Sequence, residues 1–340
     1  MELGDILEKK HIVVIDPYSE RDPSTFEVDT LMVEIAEQVE EVALVTKSES
    51  GKVLYKSMAA PRDSRFPDYF PSFVQLANDL GIKVHAFIYA HGDSFMGAQR
   101  GYSVLRSGSQ EVREFVCPSQ KSYWKYLSTV AREVARFPVD SVIFSELMYP
   151  RQEYCFCQRC RREFSDEYNA SFEVTFSELA NEPEYYDRFV DWRSELIGST
   201  LSEIFDSARR ASPNPDLRTG LVLPLDPETG WVEGARVHHG LDLPFIGDVS
   251  RSLVLHVMPW SPLYPEPGTD TWNAMVSTIK GMRRIRSDFE LSLYIWGVQN
   301  EFNIDWLDQL KDEVKAEHVF VRLDTPPLYN IKREITRGLY

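Results

Sequence analysis

Eight short runs rich in β-branched and aromatic residues recur along the chain, and amphipathic segments separate them. The runs are predicted as strands at residues 11–16, 42–46, 83–89, 141–144, 217–225, 252–258, 290–296 and 318–323. Helices are predicted at 28–38, 73–80, 123–137, 185–212, 271–286, 304–317 and from Lys332 onward. Within 123–137, Trp124, Leu127, Val130 and Val134 recur at helical spacing, and Pro138 ends the run. Strands joined through helices pair in parallel, since a parallel connection must cross back over the sheet. Eight such units predict an α/β chain closed into a (β/α)8 TIM barrel. An open doubly wound sheet is the competing architecture. It calls for a phosphate-binding turn, and neither Gly-x-Gly-x-x-Gly nor Gly-x-x-x-x-Gly-Lys occurs. The expected organisation is one barrel domain over residues 1–340. Long loops follow its third and fourth strands, the second being a cysteine-rich insertion at about residues 147–184.

The formal net charge is −16. An acidic chain lacks the positive field that nucleic acid and anionic membranes require, so neither is an expected partner. A neutral ligand such as a sugar is compatible with that charge. The start, MELGDILEKKHIVVIDPYS, does not lead from a basic segment into a long apolar core. No apolar run approaches the roughly 18 residues needed to cross a bilayer. A cytoplasmic protein is therefore expected.

All four cysteines fall near the two long loops. Cys155, Cys157 and Cys160 form a C-x-C-x-x-C run, and Cys117 ends the loop after the third strand. Neighbouring strands of a barrel bring their loops together, so Cys117 can complete the set. Four thiolates suit zinc, and a closed site of that kind is structural, with no coordination position left for chemistry. The alternatives are buried apolar thiols or disulfides.

Polar or aromatic residues follow most predicted strands: Asp16, His91, Glu146, Asp226, Trp260, Trp296 and Asp324. In a barrel these ends converge on one face, where the chemistry sits. Asp16, His91, Asp93, Asp226 and Asp324 are candidates to bind substrate. Sugar rings also pack their C–H faces on aromatics, for which Tyr18, Tyr149, Trp231, Trp260, Tyr264 and Trp296 are available. Trp260 and Trp296 are the best placed, and core packing is the alternative for any one of them. A catalytic metal held by Asp16, His91 and Glu146 is a further alternative, unsupported by any His-x-His or His-x-x-x-His spacing. The pair His238–His239 is expected to be solvated and without a role.

The segment Phe144-Ser145-Glu146, followed by Cys155-Phe-Cys157-x-x-Cys160-Arg-x-x-Phe164, resembles the β-galactosidases of glycoside hydrolase family forty-two. The likeness extends over about residues 80–200. In that family Asn-Glu ends the fourth strand, a C-x-C-x-x-C zinc run follows, and a lone cysteine lies upstream. Here Ser145 stands where the family has Asn. Residues 117–143 also look like a broader set of barrel glycosidase-like proteins. The resemblance implies a carbohydrate substrate, structural zinc on the four cysteines and Glu146 as catalytic acid/base. It also implies a nucleophilic Glu after the seventh strand, where Glu301 is the first carboxylate, with Asp226 and Asp324 as rivals. A homo-oligomer fits the family's habit. The alternative function is a carbohydrate-binding barrel that does not cleave.

Overall fold

A computed structural model describes residues 11–19, 39–107, 111–169, 175–247, 249–258, 261, 263–285, 289–296 and 304–322. Ten strands are present among them. They are β1 Ile12–Ile15, β2 Glu41–Lys47, β3 Lys83–Tyr89, β4 Ser103–Leu105, β5 Glu111–Val116, β6 Ser141–Ser145, β7 Arg218–Pro224, β8 Ser252–His256, β9 Glu290–Trp296 and β10 His318–Arg322. Eight of these close a barrel in the order β1-β10-β9-β8-β7-β6-β3-β2, every pair parallel. All eight predicted runs are barrel strands, with ends that differ by a few residues. The predicted helices at 28–38 and from Lys332 lie outside the described residues.

The strands read as continuous apolar runs because both of their faces are buried. Ile12, Val14, Ala43, Val45, Phe87, Tyr89, Ile143, Val222, Val254, Tyr294 and Phe320 fill the barrel. The alternate residues, among them Val13, Leu44, Ala86 and Val142, pack outward under the helices. Phe87 lies at the centre of the interior, with ring centroids 5.6 Å from Tyr294 and 5.4 Å from Phe320. Truncating it removes contacts from three strands at once. Phe87→Ala is expected to cost about 3–5 kcal/mol, measured by urea unfolding.

The helix Lys121–Ala135 buries Tyr123, Trp124, Leu127, Val130 and Val134 on one face, as its spacing predicts. The helix Pro183–Ala211 packs along it, with proline in its first turn. The segment after β3 carries its own secondary structure: the helix Ser94–Gly97 and the antiparallel hairpin β4–β5. The segment after β6 holds the helices Gln158–Tyr168 and Phe176–Asn181. Both stand on the face of the barrel where the strands end.

The opposite face is closed by charge. Glu41, at the start of β2, meets His85 Nε2 at 2.9 Å, Lys83 Nζ at 2.7 Å and His318 Nδ1 at 3.4 Å. His318 also reaches Glu290 at 3.5 Å, and Glu290 pairs with Arg218. Burial alone would raise the Glu41 carboxyl, but bonds from His85 and Lys83 and the charge of His318 outweigh it and hold the group well below the usual range. A depressed carboxylate stabilises the fold above its unfolded pKa of about 4.3, and that contribution is lost as the pH falls below it. Glu41→Gln should therefore destabilise by about 2 kcal/mol at neutral pH, and the difference from wild type should shrink below about pH 4. Denaturant titrations at several pH values would check both statements.

Candidate active site and cysteine cluster

At the end of β10 the inward-facing position is Arg322. Its guanidinium pairs with Asp16 and with the Tyr89 hydroxyl. It also lies 4.4 Å from the centre of the Trp296 ring and 5.4 Å from that of Tyr89. Two candidate binding residues, Asp16 and Trp296, thus meet around a cation that lies within the last strand and not after it. The alternation His318, Phe320, Arg322 marks the position as inward-facing, and that was the available signal. Burial raises the Asp16 carboxyl, and Arg322 opposes the shift without cancelling it.

Glu146 follows β6 with a left-handed backbone, φ 54°. That conformation costs a non-glycine residue about 1–2 kcal/mol, and such strain tends to persist where function requires it. Its own carbonyl is tied down by the His91 amide at 3.0 Å. Gly92 makes room for its side chain: a β-carbon placed there would lie 2.0 Å from Glu146 Oε2 and 3.5 Å from Glu49 Cγ. The two acidic side chains therefore meet over one glycine. Among the described residues neither carboxyl makes a hydrogen bond or an ion pair. Burial, then the negative charge of Glu49, push the Glu146 carboxyl up to about 8 against the pull of Lys47. Glu49 is raised by partial desolvation, opposed by Arg322 and Lys47 and assisted by Asp16. No motif in the sequence singles out Glu49, which lies in the turn after β2.

Beneath this pair is a fully buried layer. Lys47 Nζ is 3.0 Å from Asp93 Oδ2 and donates to the Tyr89 carbonyl at 2.7 Å. Asp93 also accepts from the Tyr123 hydroxyl at 3.1 Å and from the Met96 amide at 2.9 Å. Its polar atoms are used inside the protein. His91 packs against Tyr123 and edge-on against Trp124, with Nδ1 3.1 Å from the Met148 carbonyl. Burial drives its pKa down to about 3, so it is neutral. Both residues have no exposed surface. They shape the site from below.

Asp226 shapes the loop after β7. It accepts from the Glu228 amide at 2.9 Å and the Thr229 hydroxyl at 2.8 Å, and pairs with His238 at 3.2 Å. His239 bonds the Tyr149 carbonyl at 2.8 Å, so both histidines hold loop contacts instead of facing only water. Trp231, Tyr264 and Tyr149 are buried, and Tyr18 donates to the carbonyls of Thr46 and Lys52. Glu301, Trp260 and Asp324 lie outside the described residues.

The four cysteine sulfurs lie within 4.8 Å of one another, with Cys117 Sγ 3.3 Å from Cys160 Sγ and 3.7 Å from Cys157 Sγ. Tetrahedral zinc with Zn–S bonds of about 2.3 Å sets its sulfurs about 3.8 Å apart, so the donor set suits that ion. Cys117 follows β5, and Cys157 and Cys160 begin the helix Gln158–Tyr168. The Leu105 amide donates to Cys155 Sγ at 3.2 Å, and Ser119 Oγ lies 3.3 Å from Cys117 Sγ and 3.1 Å from Cys160 Sγ. Hydrogen bonds from Cys117, Cys155 and Cys160 pull the Cys157 thiol far below its usual range. Close by is Arg193, fully buried and bonded only to carbonyls, those of Arg151, Gln152, Val237 and His238, among the described residues. An unpaired buried cation is costly, and a dianionic tetrathiolate–zinc centre would offset it. Among the described residues the cysteines are the one group of potential ligands close enough to share an ion; Asp16, His91 and Glu146 do not converge in that way.

No family model and no curated protein matches the chain. Solved structures do. The chain superposes on the glycoside hydrolase domain of PgaB (BpsB) from Bordetella bronchiseptica with a TM-score of 0.73 at 12% identity, covering 96% of this chain and 97% of that one. The shared fold is a (β/α)8 barrel. The catalytic domain of β-amylase from Paenibacillus polymyxa matches with a TM-score of 0.61 at 11% identity, over 97% of this chain and 99% of that one. A β-galactosidase from the psychrophilic Marinomonas ef1 matches at 0.58 and 13% identity, over 96% of this chain and 59% of that one.

Proposed function

We propose that the chain is a glycoside hydrolase in which Glu146 is the general acid. The observation that carries this reading is the unpartnered Glu146 carboxyl, set at a barrel strand end, strained into place and pushed up to about 8. A carboxyl of that kind is still protonated at neutral pH and can donate to a leaving oxygen. The PgaB domain, the β-amylase and the β-galactosidase are glycosidases by name, and they support the substrate class. Asp16, Trp296 and Arg322 form a polar and aromatic wall near Glu49 and suit a hydroxylated ring. Hydrolysis of aryl glycosides and natural oligosaccharides by wild type and by Glu146→Gln is the test.

The second reading is a barrel that binds carbohydrate without cleaving it. It is favoured by β9, which ends on Trp296 where the family resemblance implies a nucleophilic Glu nearby. Wild type that retains oligosaccharides on an affinity gel and releases no reducing ends would decide for it. On either reading we assign the cysteine cluster to structural zinc, which pins the segments after β3 and β6 together.

A further inference from the structure

We propose that Glu49, in the turn after β2, is the second carboxylate of the reaction and attacks the anomeric carbon while Glu146 protonates the departing oxygen. This rests on the glycosidase reading and names a residue that neither the cysteine motif nor the strand-end pattern points to.

Four observations converge on it. First, Glu146 Oε2 and Glu49 Cγ both lie against Gly92, 2.0 Å and 3.5 Å from where a β-carbon would stand, so the two side chains are neighbours and a side chain there would displace Glu146. Retaining glycosidases hold their two carboxyl groups about 5–5.5 Å apart, whereas inverting ones leave room for a water between them. Second, the turn is held. Gly51 closes it with its amide on the Ser48 carbonyl at 2.9 Å, and the Ser94 amide donates to the Glu49 carbonyl at 2.8 Å. Gly51 has φ 80° and is pressed on Asp93, since a β-carbon there would lie 2.3 Å from Asp93 Oδ1. The buried Lys47–Asp93 pair thus fixes the turn from below. Third, Glu49 is exposed and makes no hydrogen bond or ion pair among the described residues, while its neighbour Asp16 is committed to Arg322. Fourth, the surrounding charges differ. Burial raises both carboxyls, but Arg322 and Lys47 oppose the rise at Glu49, whereas Lys47 alone opposes it at Glu146.

The step balances without a co-reactant beyond water. A Glu49 carboxylate oxygen bonds to the anomeric carbon, the glycosidic C–O bond breaks, and the Glu146 proton passes to the leaving oxygen. In the second half Glu146, now a carboxylate, takes a proton from water as its oxygen attacks the same carbon. The ester bond breaks and Glu49 leaves as a carboxylate. Two inversions return the original anomeric configuration.

The test uses a panel of 2,4-dinitrophenyl glycosides, whose leaving group needs no proton, and the matching 2-deoxy-2-fluoro glycosides as covalent probes. Glu49→Gln is expected to lose about a thousandfold in turnover on every active glycoside. Glu146→Gln should keep the first step on these activated substrates and recover product release with azide. Mass spectrometry should place the fluoro-sugar adduct of wild type on the peptide containing Glu49, a readout independent of whether a variant folds. Proton NMR should show the retained anomer first. An adduct on the peptide containing Glu301, an inverted first product, or folded Glu49→Gln within threefold of wild type would overturn the assignment and leave the glycosidase reading standing. Wild type inactive across both the aryl glycosides and natural oligosaccharides would overturn that reading, and this assignment with it.

Discussion

Glu146→Gln is expected to lower turnover on glycosides with poor leaving groups by about 10²–10⁴ and to make the protein more stable. The two effects share one origin. An unfolded Glu titrates near 4.3, whereas Glu146 in the fold is pushed up to about 8 by burial and by Glu49. Below the unfolded value both states carry the proton and there is no penalty. Between the two values folding must take up a proton, so stability falls as the pH rises, and above about 8 the penalty is complete. Glutamine has the same shape and no proton to lose. The variant should therefore gain on the order of 2–4 kcal/mol at pH 7, with the gain vanishing near pH 4. Wild-type turnover should decline as the pH rises through about 8, where the acid ionises. Unfolding curves and pH–rate profiles on one preparation of each protein check this. A variant that is less stable at pH 7 would mean that Glu146 is a structural carboxylate with a partner.

Removing zinc should have the other large effect. Reduced, freshly purified protein is expected to contain about one equivalent of zinc, and a strong chelator should lower the unfolding free energy by more than about 3 kcal/mol. The loss should be large because three kinds of contact fail together. Cys117 releases the hairpin β4–β5, the C-x-C-x-x-C run releases the helix Gln158–Tyr168, and Arg193 is left without a compensating charge. Thiolates must be deprotonated to bind, so release should also occur on acidification. Four sulfurs would complete the coordination of a zinc ion, so cadmium should be able to take its place with little change in turnover. Metal content below about a tenth of an equivalent would reject the assignment.

How far the molecule can be read from its sequence differs from residue to residue. The strands were legible because burial of both faces demands unbroken apolar runs such as HIVVID and KVHAFIY, and the intervening helices declare themselves by spacing. The cysteine cluster was legible for a local reason: Cys155, Cys157 and Cys160 lie within one turn and the start of a helix. Only Cys117 needed the fold. Glu146 was legible as a strand end. His91 and Asp93 occupy a similar place in the pattern, yet they turn inward and are consumed by Met148, Lys47 and Tyr123.

Unbroken apolar runs between amphipathic segments, and cysteine spacing, properties of neighbouring residues, thus determined by themselves the barrel and the cysteine trio. The tertiary structure alone decided which polar groups remain free to react. The direction a side chain takes after a strand depends on the contacts made by the next few residues, and those come from distant segments. Gly92 is the clearest case: its missing side chain leaves room for the Glu146 carboxyl beside Glu49, a residue far away in the chain.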